Sequence, residues 1–339
     1  MITTRGLSRD FRQRHNDGLL RAVRSVDIDV LEGEVVGFLG PNGAGKTTTM
    51  RMLTTLLRPT SGEATVAGCD LLSNPSGVRS RIGYVAQGSG LAGDCSPVEE
   101  LVLQARLYGL SWREAVHRAH SLLDELDLSG LSKRKIRTLS GGQRRRLDIA
   151  LGLIHSPKLV FLDEPTTGLD PQSRVNLWEH ISRLNREMGV TVFLTTHYLD
   201  EADALAGRVF IVDNGTVVAS GTPAELKSTV AGDSVTVSAA NVDASSIADV
   251  VSRKFEAHDI FSESDTVRFR VPDGAGVVSK LVRSLDDVGI ELKTVEIVHP
   301  SLDDVFFSIT GRSLRDSDGA KSASSAVVKG EEEVVNDVG

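Results

Sequence analysis

Apolar residues fall along this chain in two rhythms. Short unbroken runs occur at "EVVGFLG" (34–40), "KLVFLDE" (158–164), "VTVFLTTH" (190–197) and "RVFIVDNG" (208–215). A brief apolar run without alternation predicts a strand buried on both faces, as in a parallel sheet covered by helices. Residues 97–128 instead carry helical spacing around "VEELVLQARLYGL" and "AHSLLDELDL", which predicts a helical lobe inserted beside the sheet. Strand-like and helical stretches alternate over residues 1–230, so this part reads as an α/β unit.

The texture changes near residue 231. "SVTVSAA", "DTVRFRVPD" and "ELKTVEIV" predict strands, while "SSIADVVSRKF" and "AGVVSKLVRSLDDVG" predict helices. With "HDIFSES" as a further short strand, the order is β-α-β-β-α-β, the ferredoxin-like arrangement. Residues 231–312 are therefore expected to form a small α+β domain. The closing stretch, 313–339, is rich in Ser, Asp, Glu and Gly and is expected to be a disordered tail.

Composition narrows the function classes. None of the apolar runs approaches the 18 or so residues a membrane-spanning helix needs. The start, "MITTRGLSRDFRQRH", lacks the apolar segment of a secretory signal, and a cytosolic location is expected. A formal net charge of −8 counts against a nucleic-acid binder, which usually presents a basic surface. Cys69 and Cys95 fit no metal-binding spacing and read as unpaired thiols. The 38 basic residues are mostly arginine, a bias typical of a GC-rich genome.

The first chemical signal is "GPNGAGKT", comprising Gly40, Pro41, Asn42, Gly43, Ala44, Gly45, Lys46 and Thr47. It fits G-x-x-x-x-G-K-[ST], with a strand before it and a helix after it that aligns Met50, Leu53 and Leu57. Glycines let the backbone curl so that successive N–H groups converge on phosphates. The helix N-terminus adds a favourable dipole. Lys46 is placed to reach the β- and γ-phosphates, Thr47 to ligate Mg²⁺, and Thr48 to touch phosphate. The segment is a nucleoside triphosphate site.

A second signal is the adjacent pair Asp163 and Glu164 at the tip of a buried strand. Two desolvated carboxylates are costly without a purpose. Asp163 suits Mg²⁺, directly or through water, and Glu164 suits polarisation of an attacking water. A plain acidic turn is the other reading. A third is "LSGGQ": Ser140, Gly141, Gly142 and Gln143 open a helix with Leu147, Ala150, Leu151 and Ile154 on its apolar face. Serine and glycines at a helix start form a second anion site.

Over residues 1 to 230 the sequence resembles the ATP-binding-cassette (ABC) family, with the motifs in family order. They are Walker A "GPNGAGKT", the Q-loop Gln87 in "IGYVAQ", the signature "LSGGQ", and Walker B "LVFLD" followed by Glu164. The D-loop "GLD" ending at Asp170 and the switch histidine His197 in "LTTHYLDEAD" complete the set. The resemblance implies an α/β phosphate-loop NTPase cassette with a RecA-like core, an antiparallel β edge and a helical lobe. It implies ATP and Mg²⁺ as cofactors, with Thr47, Gln87 and Asp163 around the metal. Glu164, His197, Lys46 and Gln87 would be catalytic. Each ATP would lie between Walker A of one subunit and Ser140–Gln143 of the other, with Asp170 nearby, so hydrolysis would need a homodimer. Phe11 stands where the family stacks an aromatic on adenine; a core-edge phenylalanine is its other reading. Glu201 and Asp203 read as a solvated helix face, and Arg144 to Arg146 as solvent- or interface-facing rather than a nucleic-acid patch.

Three function classes fit these motifs: an exporter ATPase subunit, a soluble translation or repair ATPase, and a regulator that only binds ATP. The translation type carries two cassettes, the repair type a long coiled coil between its motifs, and the third class would lack Glu164 or His197. The exporter reading is favoured. "HPSLDDVFFSITGRSLRD" (299–316) and "QRRRLDIALGLIHSP" resemble the daunorubicin-resistance type, which pairs with ABC-2 class permeases. The expectation is an ATP-hydrolysing subunit that powers efflux of a hydrophobic drug, antibiotic or lipid. It would sit on the cytoplasmic side of a bacterial membrane through its permease, with residues 88–112 forming much of the docking groove.

Overall fold

The unbroken apolar runs become the inner strands of the main sheet. The computed structural model describes residues 1–12, 18–88, 90–230, 232–239, 244–263 and 266–314. Most of the expected tail, from 315 on, lies outside them. The chain divides into two compact units, Met1–Pro223 and Ala224–Ser313.

The strands of the first unit are β1 (Ile2–Arg12), β2 (Leu19–Val30), β3 (Val35–Leu39), β4 (Ser61–Val66) and β5 (Cys69–Asp70). They continue as β6 (Ile82–Val85), β7 (Leu159–Asp163), β8 (Thr191–Thr196), β9 (Arg208–Asp213) and β10 (Thr216–Gly221). Their order is β5-β4-β1-β2-β10-β9-β3-β8-β7-β6. The run β9-β3-β8-β7-β6 is parallel, and β5-β4-β1-β2 forms an antiparallel edge. Every residue of β3, β7 and β8 is buried. The reason is visible in β7: Leu159 and Phe161 enter the core on one face of the sheet, while Val160 and Leu162 enter the core on the other.

The helices are α1 (Lys46–Leu53), α2 (Pro75–Arg79), α3 (Pro97–Leu107), α4 (Trp112–Glu125), α5 (Gly141–Leu153), α6 (Pro171–Met188) and α7 (Leu199–Leu205); a short α8 (Pro223–Ser228) follows β10. Helices α3 and α4 form the lobe. Each starts at a capping box, Ser96 with Glu99 and Ser111 with Glu114, which satisfies end amides reciprocally. Leu101, Ala105, Ala119 and Leu122 join Val160 and Leu162 in one core.

A polar cluster around the buried His180 ties α5 and α6 to the end of α4, where the half-buried Arg146 and Arg183 donate to the carbonyls of Leu126 and Glu125. The guanidinium nitrogens of Arg146 and Arg183 lie 3.1 and 2.9 Å from the two ring nitrogens of His180. Burial, and then these two cations, push the His180 imidazole down to about 4. A folded pKa below the unfolded value stabilises fully above the unfolded pKa and is lost as pH falls toward the folded one. Acidification from pH 6.5 toward 4 is therefore expected to remove on the order of 3 kcal/mol of stability through this residue. Urea unfolding midpoints between pH 7 and 4.5 check this, with His180→Gln showing the shallower decline.

The second unit has a four-stranded sheet: β11 (Asp233–Ala239), β12 (His258–Glu263), β13 (Thr266–Val271) and β14 (Leu292–Val298), in the order β12-β13-β11-β14. All neighbouring strands are antiparallel. Helices α9 (Ala244–Lys254) and α10 (Gly274–Asp286) supply Ile247, Val251, Leu281 and Leu285 to a core with Val235, Val237, Val267 and Phe269 of the sheet. "SLDDVFFSIT" forms one more helix, α11 (Leu302–Thr310), started by a Ser301–Asp304 capping box.

Candidate nucleotide site

The loop from β3 to α1 is fixed by close approach. A Cβ on Gly40 would fall 2.2 Å from the Val212 carbonyl oxygen, and one on Gly45 would fall 2.5 Å from that of Ala22. Gly45 also has φ +98°, so a side chain there would be strained as well as obstructed. With glycine as N-cap, α1 starts without a side-chain cap, and a helix start of this kind favours an anion. Pro41 and Ala44 are buried; Asn42 and Gly43 are exposed. The buried Lys46 folds back, donating from Nζ to the carbonyls of Gly40 (2.7 Å) and Pro41 (3.1 Å). Thr47 and Thr48 are half-buried.

The carboxylates face this loop. Asp163 Oδ1 accepts hydrogen bonds from Thr47 Oγ1 (3.1 Å) and Thr195 Oγ1 (2.6 Å). Glu164 adopts φ +43°, a left-handed conformation that costs a non-glycine residue about 1–2 kcal/mol. Its amide donates to the Thr195 carbonyl at 3.1 Å, and its side chain turns toward Lys46. Oε2 accepts from Gln87 Nε2 (2.9 Å) and Thr167 Oγ1 (3.2 Å). Oε1 lies 3.5 Å from Lys46 Nζ and 3.3 Å from His197 Nδ1. Burial pushes the Glu164 carboxyl up, but His197, Lys46 and Thr167 together bring it below its usual value. It is held as a carboxylate beside a cation. Lys46, Thr47, Gln87, Asp163, Glu164 and His197, remote in sequence, thus form one polar cluster.

The other candidates lie elsewhere on the first unit. Ser140 N-caps α5 and exchanges hydrogen bonds with Gln143: Gln143 N donates to Ser140 Oγ (3.2 Å) and Ser140 N to Gln143 Oε1 (2.9 Å). Gly141 and Gly142 occupy the first helical positions. A Cβ on Gly142 would lie 3.0 Å from Ser173 Oγ of α6, and Ser173 donates to Asp170, the α6 N-cap. The starts of α5 and α6 are therefore packed together. Phe11 lies on β1, half-buried, with the Arg9 guanidinium 4.7 Å over its ring.

Two sequence readings are corrected. Arg145 does not face solvent or an interface. It is buried and donates to the carbonyls of Ala86 (2.6 Å), Pro165 (2.8 Å) and Asp163 (3.0 Å). It frames the Q-loop and the carboxylate turn from behind, and burial, the leading influence, lowers its pKa. Its sequence signal was the i, i+4 spacing to the buried Ile149. Glu201 is likewise fully buried, unlike the exposed Asp203. Thr195, which no sequence motif marks, ties Asp163 to the backbone of Glu164.

A glycine loop holding a buried lysine, a carboxylate pair at a parallel strand tip, and a second glycine-rich helix start define an ATP-hydrolysing cassette. The chain belongs to the ABC transporter family and is one of its ATP-hydrolysing subunits. It matches that family over residues 23–167, and over 221–310 the family described as ATP-binding protein DrrA1-3-like, C-terminal domain. It is 42% identical over 305 residues to the doxorubicin resistance ATP-binding protein DrrA of Mycobacterium tuberculosis, covering 88% of this chain and 91% of that protein. It is 41% identical over 312 residues to the daunorubicin/doxorubicin resistance ATP-binding protein DrrA of Streptomyces peucetius, covering 89% and 92%. Among solved structures, a dimeric ATP-binding cassette in a post-hydrolysis state with ADP and phosphate is 26% identical, with a TM-score of 0.60, and covers 66% of this chain and 98% of that one. Among the described residues, no helix is long and apolar enough to cross a membrane.

Proposed function

We propose that this subunit powers export of a hydrophobic drug or antibiotic, working as a homodimer on the cytoplasmic face of a bacterial membrane beneath a separate ABC-2 class permease. The observation that carries this reading is that similarity to drug-resistance ATPases runs through both units, the second included. A soluble translation or repair cassette has no reason to share that second unit.

In this reading the loop amides and Lys46 hold the ATP phosphates, and Phe11 stacks on adenine. Thr47 Oγ1 and Asp163 Oδ1, 3.1 Å apart, with the Gln87 amide are hard oxygen donors that fit Mg²⁺. When bound, Mg²⁺ offsets phosphate charge. Glu164 is the base that orients and polarises the attacking water, and His197 contacts the γ-phosphate. Ser140, Gly141, Gly142 and Gln143 of the second copy, with Asp170, close the site from the other side. The amides of Gly141 and Gly142 have no carbonyl within α5 to bond, so they serve a phosphate across the dimer. Gln87 and the groove over 88–112 receive the permease. The exposed Leu103, Leu107 and Trp112 give that region an apolar surface, as a docking site requires.

The test is co-expression with a candidate ABC-2 class permease, a membrane protein with about six apolar spans sought among the neighbouring open reading frames, followed by daunorubicin uptake into inside-out vesicles. ATP-dependent uptake that needs both proteins is expected. Failure of the two to co-purify, with no uptake, would refute the exporter assignment.

A further inference from the structure

The left-handed turn at Glu164 has to be held, because a non-glycine residue keeps such a conformation only where its surroundings over-determine it. Part of the hold comes from Thr195, whose carbonyl and hydroxyl both accept from the Glu164 amide. The rest comes from Arg145, in the second turn of α5 and 7% exposed. Its Nη2 donates to the Asp163 carbonyl at 3.0 Å and its Nε to the Pro165 carbonyl at 2.8 Å. The guanidinium therefore straddles Glu164 and bonds the backbone on either side of it.

The third nitrogen reaches the Q-loop. Nη1 donates to the Ala86 carbonyl at 2.6 Å, and Ala86 directly precedes Gln87, whose Nε2 donates to Glu164 Oε2 at 2.9 Å. One planar group thus fixes the backbone at both ends of the Gln87–Glu164 hydrogen bond. An apolar side chain would fill this space without the cost of burying a cation. A lysine would bring the charge as a point, which cannot span three carbonyls from two segments. What arginine adds is a rigid fork with a donor on each nitrogen.

We propose that Arg145 is a positioning residue for ATP hydrolysis: its fork sets the turn at Glu164 and the backbone before Gln87 relative to each other, and so aims the Glu164 carboxylate. This inference rests on the assignment of Glu164 to hydrolysis and adds a residue that would act through it. The fork also hangs both segments from α5, the helix whose start is assigned to ATP in the second copy. Misplacement of reacting groups by about 1 Å can cost 100-fold in rate.

The experiment measures steady-state ATP hydrolysis by the full chain and, separately, binding of a fluorescent ATP analogue. Arg145→Lys keeps the charge and loses the fork, and is expected to lower kcat about 10- to 100-fold with nucleotide affinity within about twofold of wild type. Combined with Glu164→Gln, it is expected to add no more than about a twofold loss, because residues acting through one another are not additive. Wild-type kcat in Arg145→Lys, in a series where Glu164→Gln is impaired, would overturn the proposal alone. So would losses at 145 and 164 that multiply independently, or a fall in affinity as large as the fall in kcat. Wild-type turnover in Glu164→Gln would overturn the reading of the base and this proposal with it. If Arg145→Lys does not fold, Arg145→Gln decides by the same two measurements. A lower kcat at retained affinity supports the proposal. Wild-type kcat refutes it, and so does failure of this variant to fold as well, since Arg145 would then hold up the domain rather than the site.

Discussion

Lys46→Ala is expected to abolish ATP hydrolysis and to weaken ATP binding by about 10- to 100-fold, the worth of one charged hydrogen-bonding contact. The ammonium has two duties in this fold. It bonds the loop carbonyls of Gly40 and Pro41, so its loss leaves two inward-facing acceptors to repel phosphate. It also lies 3.5 Å from Glu164 Oε1 and helps to keep that carboxyl ionised despite burial. Lys46→Arg is expected to rescue little, because the slot leaves the side chain 4% exposed and cannot take a planar guanidinium without displacing the loop. Titration with a fluorescent ATP analogue and a phosphate-release assay measure the two effects separately. Wild-type hydrolysis by Lys46→Ala would contradict the assignment of the phosphate loop.

The parts of this molecule that were legible in its sequence are those where local chemistry admits few solutions. The loop at 40–47 must bring amides together, so its glycines appear in the sequence. Strands β3, β7 and β8 are buried on both faces, so they read as unbroken apolar runs. The first strand pair was harder. In β1 burial alternates irregularly, because bulges between Thr4 and Leu7 and again near Arg9 shift its register against β2, and no simple period survives. Arg145 and Glu201 were misread for a different reason. Charged side chains default to the surface unless paired, and their partners are supplied only by the tertiary fold. For Arg145 these are carbonyls at positions 86, 163 and 165; for Glu201 they include an indole 23 residues upstream. The left-handed turn at Glu164, which points its carboxyl at Lys46, also has no local signature.

Glu164→Gln is expected to lower hydrolysis about 10²- to 10⁴-fold, the usual loss for a general base, while leaving ATP bound. The substitution preserves shape, and its amide oxygen still accepts from Gln87 or Thr167, which now bond Oε2. Lys46 and the Thr47–Asp163 pair are untouched. What disappears is the negative charge that burial opposes and that His197 and Lys46 sustain. A dimer that closes over ATP and cannot hydrolyse it should then accumulate. By light scattering, Glu164→Gln in Mg·ATP is expected to shift from monomer to dimer, while wild type stays mostly monomeric. ADP should not cause the shift, since it has no γ-phosphate to meet the amides that open α5 in the second copy. Adding Ser140→Arg should restore the monomer. Arginine cannot accept the Gln143 amide bond that Ser140 Oγ now accepts at 3.2 Å, and its bulk would occupy the helix start where the phosphate should dock. A Glu164→Gln protein that binds ATP tightly yet remains monomeric at every concentration, alone and with its permease, would rule out the two-subunit site.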